Sequence, residues 1–151
     1  MSRSRQILCA LYAATALVAL AGTWHQNLAY FRAGEGAGGF AQATARFWPE
    51  TFATPASTSI TVDLGLLLVP LCVLMVIEAR RLAIRFVWLY VLGGLLIAIS
   101  VTFPLFLIAR ERRIAARGEG AAPLALAPLD VLGLAALGAL FAGVALWTLV
   151  R

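Results

Sequence analysis

The feature that most constrains the fold is an apolar stretch, residues 57–78, that carries a carboxylate well inside it. A membrane helix needs roughly 20 mostly apolar residues, and residues 60–77 supply such a run with Asp63 as its only charge. A carboxylate in hydrocarbon costs a few kcal/mol even on lenient insertion scales. We therefore expect Asp63 to face neighbouring helices or water and not lipid.

Helical spacing extends this expectation to a whole face of the segment. At 100° per residue, one stripe of the helix carries Asp63 together with five other residues. These are Ser59, Leu67, Pro70, Leu74 and Ile77. We predict that this stripe is the inward face.

Composition places the chain in the membrane as a single domain, residues 1–151. The chain is 62% hydrophobic and only 13% charged, which is too apolar for a soluble domain of this size. The fold class is therefore all-α, an integral membrane antiparallel four-helix bundle with short connections. The four predicted spans cover about residues 6–24, 56–78, 86–108 and 128–150.

Two local patterns refine the first outer loop. Phe40, Ala43 and Phe47 recur at helical spacing, which predicts a short interfacial helix over residues 40–48. Thr54-Pro55 is typical of a helix cap followed by proline at the first helical position, and so opens the second span.

The first apolar run has a second interpretation. Arg3 and Arg5 precede it, and Ala19-Leu-Ala21 would suit a signal peptidase. We interpret it as a retained first span.

The basic residues leave the orientation nearly undetermined. All twelve are Arg, and they flank apolar runs, which favours contacts with membrane lipids and not nucleic acid. In a four-span topology, six arginines fall on each side, so the rule that cytoplasmic loops are arginine-rich gives a tie. Because the first span usually dominates, we expect both termini to be cytoplasmic, in a bacterial inner membrane.

Polar residues near the outer side form the first candidate site. Asn27, Asp63 and Asp130 should lie at this level, with His25 nearby, and such a site could bind a cation, a proton or a polar head group. In the structural interpretation, Asp63 accepts hydrogen bonds that fix the helix register. Asp130, in the first turn of the last span, would then only complement the helix dipole.

A second group is an expected interfacial ion-pair cluster of Glu78, Arg81 and Arg85. His25 is the only histidine, so we expect no multi-histidine metal site, and no cofactor is predicted. A haem or chlorophyll type pigment on His25, or a bound lipid, stays open beside the simpler interpretation of a hydrogen-bonded interfacial histidine. No catalytic motif is recognisable.

Several short motifs lie along the chain: WHQN at 24–27 followed by Tyr30-Phe31, SITVD at 59–63, EARRL at 78–82, WLY at 88–90, and FPLF at 103–106 followed by RER at 110–112. With these motifs the chain resembles a bacterial family of small four-span membrane proteins known mainly as a domain of unknown function. The resemblance covers about residues 23–113 and implies a four-helix membrane protein. It carries no activity.

Two functions follow as hypotheses. The first is a non-enzymatic accessory or stabilising subunit that packs against a larger membrane complex, respiratory or photosynthetic in type, or binds lipid. Faces of small residues such as Gly94 with Ala98 suit contacts with other membrane subunits or a homodimer. The second is a small transporter or membrane enzyme for an apolar or cationic substrate, working through Asp63 and Asn27.

Overall fold

The computed structural model describes residues 3–34, 39–118 and 127–150, and these ranges are helical almost throughout, with no strand among them. The helices are α1 (Arg3–Gly34), α2 (Gly39–Glu50), α3 (Pro55–Leu82), α4 (Val87–Gly93), α5 (Ile99–Ala116) and α6 (Pro128–Leu149). The predicted all-α class is confirmed. Residues 1–2, 35–38, 119–126 and 151 lie outside the described residues.

Four helical segments are long and apolar enough to cross a membrane. They are Arg3–Ala33, Pro55–Leu82, Val87–Ala116 and Pro128–Leu149. The chain is therefore a helical membrane protein, as its composition predicts.

The first outer connection has the predicted local structure. The short helix forms as α2, and α3 begins at Pro55 with Thr54 as its cap. The hydroxyl of Thr54 accepts a hydrogen bond from the backbone N–H of Ser57 at 3.1 Å, and the Ser57 hydroxyl accepts one from the Thr54 N–H at 3.2 Å. This reciprocal capping box satisfies two backbone donors that would otherwise lack partners.

The third apolar segment folds back on itself. A π-helical turn, Gly94–Ala98, follows α4, and Ala98 then has extended backbone (φ 179°, ψ 138°) before α5 begins. A Cβ atom placed on Gly93 would lie 3.0 Å from Cγ2 of Thr102, whereas a straight helix would separate these residues by about 13.5 Å. The rings of Tyr90 and Phe106 lie 5.7 Å apart. Thus α4 and α5 form a hairpin, and the span predicted over residues 86–108 folds as two helices joined by a turn.

The hydrophobic core lies where this hairpin meets the end of α3. Met75 and Ala79 of α3, Val87 and Val91 of α4, and Phe106 of α5 are buried together. The side chain of Phe106 has no solvent exposure. The core is therefore confined to one half of the molecule.

The predicted inward stripe of α3 is wrong. All six of its residues are exposed, and the buried residues of α3 are Met75, Ala79 and Leu82. The physical reason is that α3 packs against α4 and α5 only through its C-terminal third. Its N-terminal part extends past the turn of the hairpin, where no described helix covers it.

α6 runs parallel to α1. A Cβ atom on Gly22 would lie 3.5 Å from Cβ of Ala145, and Nε2 of Gln26 donates a hydrogen bond to the carbonyl of Thr148 at 3.0 Å. Residue numbers on the two helices rise together along this contact. The C-terminal end of α6 therefore lies at the opposite end of α1 from Arg5, and not beside the N-terminus as the predicted antiparallel order would have it.

Candidate functional site

A cluster of charges joins α3 to α5 at the open end of the hairpin. Arg81 holds the carboxylate of Glu78 with two nitrogens, Nε to Oε1 at 2.8 Å and Nη2 to Oε2 at 2.8 Å. Nε of Arg110 donates to Oε2 of Glu78 at 2.7 Å. About two turns beyond Arg110, at the residue that follows α5, Nη1 of Arg117 donates to the backbone carbonyl of Arg81 at 2.9 Å.

The cluster continues to α1 through a more deeply buried pair. Nη1 of Arg110 donates to Oε1 of Glu111 at 2.7 Å, and Nε of Arg5 lies 4.0 Å from Oε2 of Glu111. Arg5 and Glu111 are only 7% and 8% exposed. Buried charges persist where they are paired, so this network fixes α1, α3 and α5 relative to one another.

The sequence analysis identified this cluster only in part. Glu78 and Arg81 pair as predicted, but Arg85 is exposed and makes no ion pair with a described residue. Arg5, Arg110 and Glu111 were missed. A usable signal was present, because Arg85 and Arg110 bracket an uncharged run that contains Gly93-Gly94, and a turn there brings Arg110 back to Glu78.

Chemically, the cluster suits structure better than catalysis. Each of its two carboxylates faces at least one guanidinium group. A general base needs a lone pair directed at a substrate, whereas these oxygens are directed at arginines. The cluster therefore acts as a structural clamp.

Asp63 is exposed on α3, eight residues after the helix begins and thus about 12 Å along its axis. Its carboxylate makes no hydrogen bond or ion pair with any described residue. Within the described ranges, α1 and α3 have no Cα atoms within 8 Å of each other. The structure therefore does not bring Asp63 to Asn27.

Asn27 instead lines an open cleft between α1 and α2, with a volume of about 410 Å³. The other lining residues are Gln26, Tyr30, Phe47, Glu50 and Thr51. The ring of Phe47 lies 5.5 Å from that of Tyr30 and 6.1 Å from that of Phe31. Two amides, one carboxylate and aromatic rings at a helix end could hold a polar lipid head group.

The other two predicted site residues lie elsewhere. His25 is exposed on α1 and does not line the cleft. Asp130 caps its own helix, because Oδ2 accepts a hydrogen bond from the Ala127 N–H at 2.9 Å. It precedes Thr148 by eighteen residues, about 27 Å along α6, so it lies far from Gln26 and Asn27. The described residues contain no group of three or more potential metal ligands.

One family matches the chain, described as "Protein of unknown function DUF2834", over residues 11–112. The match covers more than half of the chain. The chain belongs to this family. The DUF2834 segment begins within α1 and ends in α5, one residue after Glu111, so it contains the hairpin and the core. α6 lies outside it, in agreement with the predicted C-terminal limit of the resemblance, whereas the match begins at residue 11 and not at about residue 23. No curated protein and no solved structure matches the chain.

Proposed function

We propose that this protein is a non-catalytic accessory subunit of a larger bacterial inner-membrane complex, and that it docks on its partner through the N-terminal part of α3. The observation that carries the proposal is the outward-facing Asp63. A carboxylate at this position of an apolar helix is costly against lipid, and such groups normally pair with another protein group. A partner helix that supplies an arginine, lysine or hydroxyl donor removes that cost.

The surroundings of Asp63 suit a protein partner. Ile60, Leu66 and Leu67 lie one turn away along the same side of the helix and are 69%, 68% and 50% exposed. One acid at the centre of an apolar face gives a docking helix both close packing and a specific polar anchor. Membrane lipids cover the remaining apolar faces.

A transporter or membrane enzyme has less support. That function requires Asn27 and Asp63 to share a cavity, and the cleft beside Asn27 is lined by residues of α1, α2 and Thr51, without Asp63. The clamp at Glu78 has its carboxylate oxygens directed at arginines.

Gentle detergent extraction tests the proposal. We expect the full chain to co-purify in fixed ratio with a membrane complex, and the Asp63→Leu variant to lose that association at normal abundance. Asp130→Asn is the matched control, since it removes an exposed carboxylate from α6 and keeps a side-chain oxygen that can accept the hydrogen bond from the Ala127 N–H. A photo-crosslinker replacing Leu67 should react with a partner polypeptide, and one replacing Leu140 on α6 with lipid. If the wild-type chain is isolated alone and Asp63→Leu changes nothing, the proposal is wrong.

A further inference from the structure

We propose that the chain crosses the membrane three times, because its third apolar segment enters and leaves the bilayer on the same face. The N-terminus and the end of α6 then lie on opposite faces, and the charged C-terminal end of α5 lies on the N-terminal face. This inference concerns topology and does not depend on the proposed accessory role.

The hairpin has the dimensions of a re-entrant segment. The distance from Val87 to Ile97 along the helix axis is ten residues, about 15 Å. This is half the thickness of a hydrocarbon core of about 30 Å. Residues 86–109 carry no charge, and Arg85 and Arg110 stand at the two ends. Arg110 is bonded to Glu78 at 2.7 Å, so both ends of the hairpin lie at the same level as the end of α3.

The turn of the hairpin meets the requirement that membrane depth imposes on irregular backbone. Such backbone is tolerated only where protein covers it and its polar groups find partners. Within the turn Gly94 is buried and α1 packs against it, and the exposed side chains of the turn, those of Leu95, Leu96 and Ile97, are all apolar. The Thr102 hydroxyl lies 3.4 Å from the Ala98 carbonyl and donates to it.

Contacts at the two ends of α1 determine on which face of the membrane α5 and α6 end. The buried contact of Arg5 with Glu111 places the end of α5 beside the start of α1. The contact of Gln26 with Thr148 places the end of α6 beside the other end of α1. α6 must therefore start on the N-terminal face and finish on the opposite one.

The arginine distribution also supports this topology. The four arginines at the C-terminal end of α5 and directly after it move to the N-terminal face and Arg151 moves to the other, so the count changes from six against six to nine against three. On the N-terminal face are Arg3, Arg5, Arg80, Arg81, Arg85, Arg110, Arg112, Arg113 and Arg117, and on the other face are Arg32, Arg46 and Arg151. Cytoplasmic loops carry the excess of arginine, so the N-terminal face is cytoplasmic and the end of α6 is external.

Cysteine labelling distinguishes three crossings from four. The background is the full chain with Cys9 and Cys72 replaced by Ala, which removes both native thiols. Single cysteines are introduced by Ala45→Cys in α2, Arg113→Cys near the C-terminal end of α5 and Val150→Cys after α6, all at exposed positions. Spheroplasts are treated with a membrane-impermeant maleimide before and after permeabilisation.

Three crossings predict that the Ala45→Cys and Val150→Cys variants are labelled in intact spheroplasts, and the Arg113→Cys variant only after permeabilisation. Four crossings predict labelling of Arg113→Cys together with Ala45→Cys, and protection of Val150→Cys. That result overturns the proposal. A second measurement uses the unaltered sequence with a C-terminal alkaline phosphatase, which is active only outside the cytoplasm. High phosphatase activity supports external placement of the C-terminus, and its absence at normal fusion abundance contradicts it.

Discussion

The hairpin core should depend on Phe106 more than on any exposed aromatic residue. Phe106 is fully buried, and its ring meets that of Tyr90 edge-on at 5.7 Å. A Phe→Ala change in a water-soluble core costs about 3–5 kcal/mol. In a membrane the part of this cost that comes from transfer out of water is smaller, because lipid is also apolar. The cavity remains, and the lost ring contact is worth about 0.5–1.5 kcal/mol. We therefore expect Phe106→Ala to lower the free energy of unfolding by about 2–4 kcal/mol.

The measurement is unfolding in mixed micelles by increasing the fraction of a denaturing detergent, followed by tryptophan fluorescence. The matched control is Phe141→Ala on α6, where the ring is 63% exposed and the expected change is within about 0.5 kcal/mol. Equal effects of the two substitutions would refute the assignment of the core to the contact between the hairpin and α3.

Three further predictions use the same unfolding measurement. Gly94→Leu should lower the free energy of unfolding by about 1–3 kcal/mol, because a Cβ there meets Oγ1 of Thr102 at 3.2 Å. Gly133→Leu is the control and should be nearly neutral, since no atom lies within 4 Å of a Cβ at that position. Equal losses in the two variants would contradict the close packing described for the turn. Glu78→Gln should cost about 1–3 kcal/mol, since it removes the carboxylate that Arg81 holds and leaves Arg110 with Glu111 alone. An unchanged midpoint would show that the clamp is not structural. Trp24→Phe should be neutral or stabilising by up to about 1 kcal/mol, because the buried indole N–H makes no hydrogen bond with a described atom. A clear loss of stability would show that the indole N–H does have a hydrogen-bond acceptor.

The helical class and the element starts were predictable because they depend on local chemistry. Apolar runs of sufficient length identify the membrane segments whatever their arrangement. The Thr54-Pro55 pair determines where α3 begins, since the cap and the fixed φ of proline both act within one turn. α2 was predictable for the same reason, because its helical spacing lies within twelve residues.

The arrangement of the helices was not predictable by the same means. In a soluble protein a turn is usually marked by polar residues, but a turn buried in a membrane protein needs only small ones, and Gly93-Gly94 sits in an otherwise uniform apolar run. The inward face of α3 was misassigned because Asp63 was assumed to face the chain's own helices. That assumption fails where the surface that covers a helix belongs to another chain, or where no other helix of the same chain reaches that part of it.

The position of α5 has a consequence for how the protein is made. α1 and α3 do not approach each other, and α5 is the helix that packs against both. During translation, α1 and α3 therefore lie in the bilayer without contacting each other until the segment that ends in Arg110 and Glu111 has been synthesised. The nascent chain completes its core only when α5 arrives, and a truncation before α5 should leave α1 with α2 and α3 with α4 as two separate units.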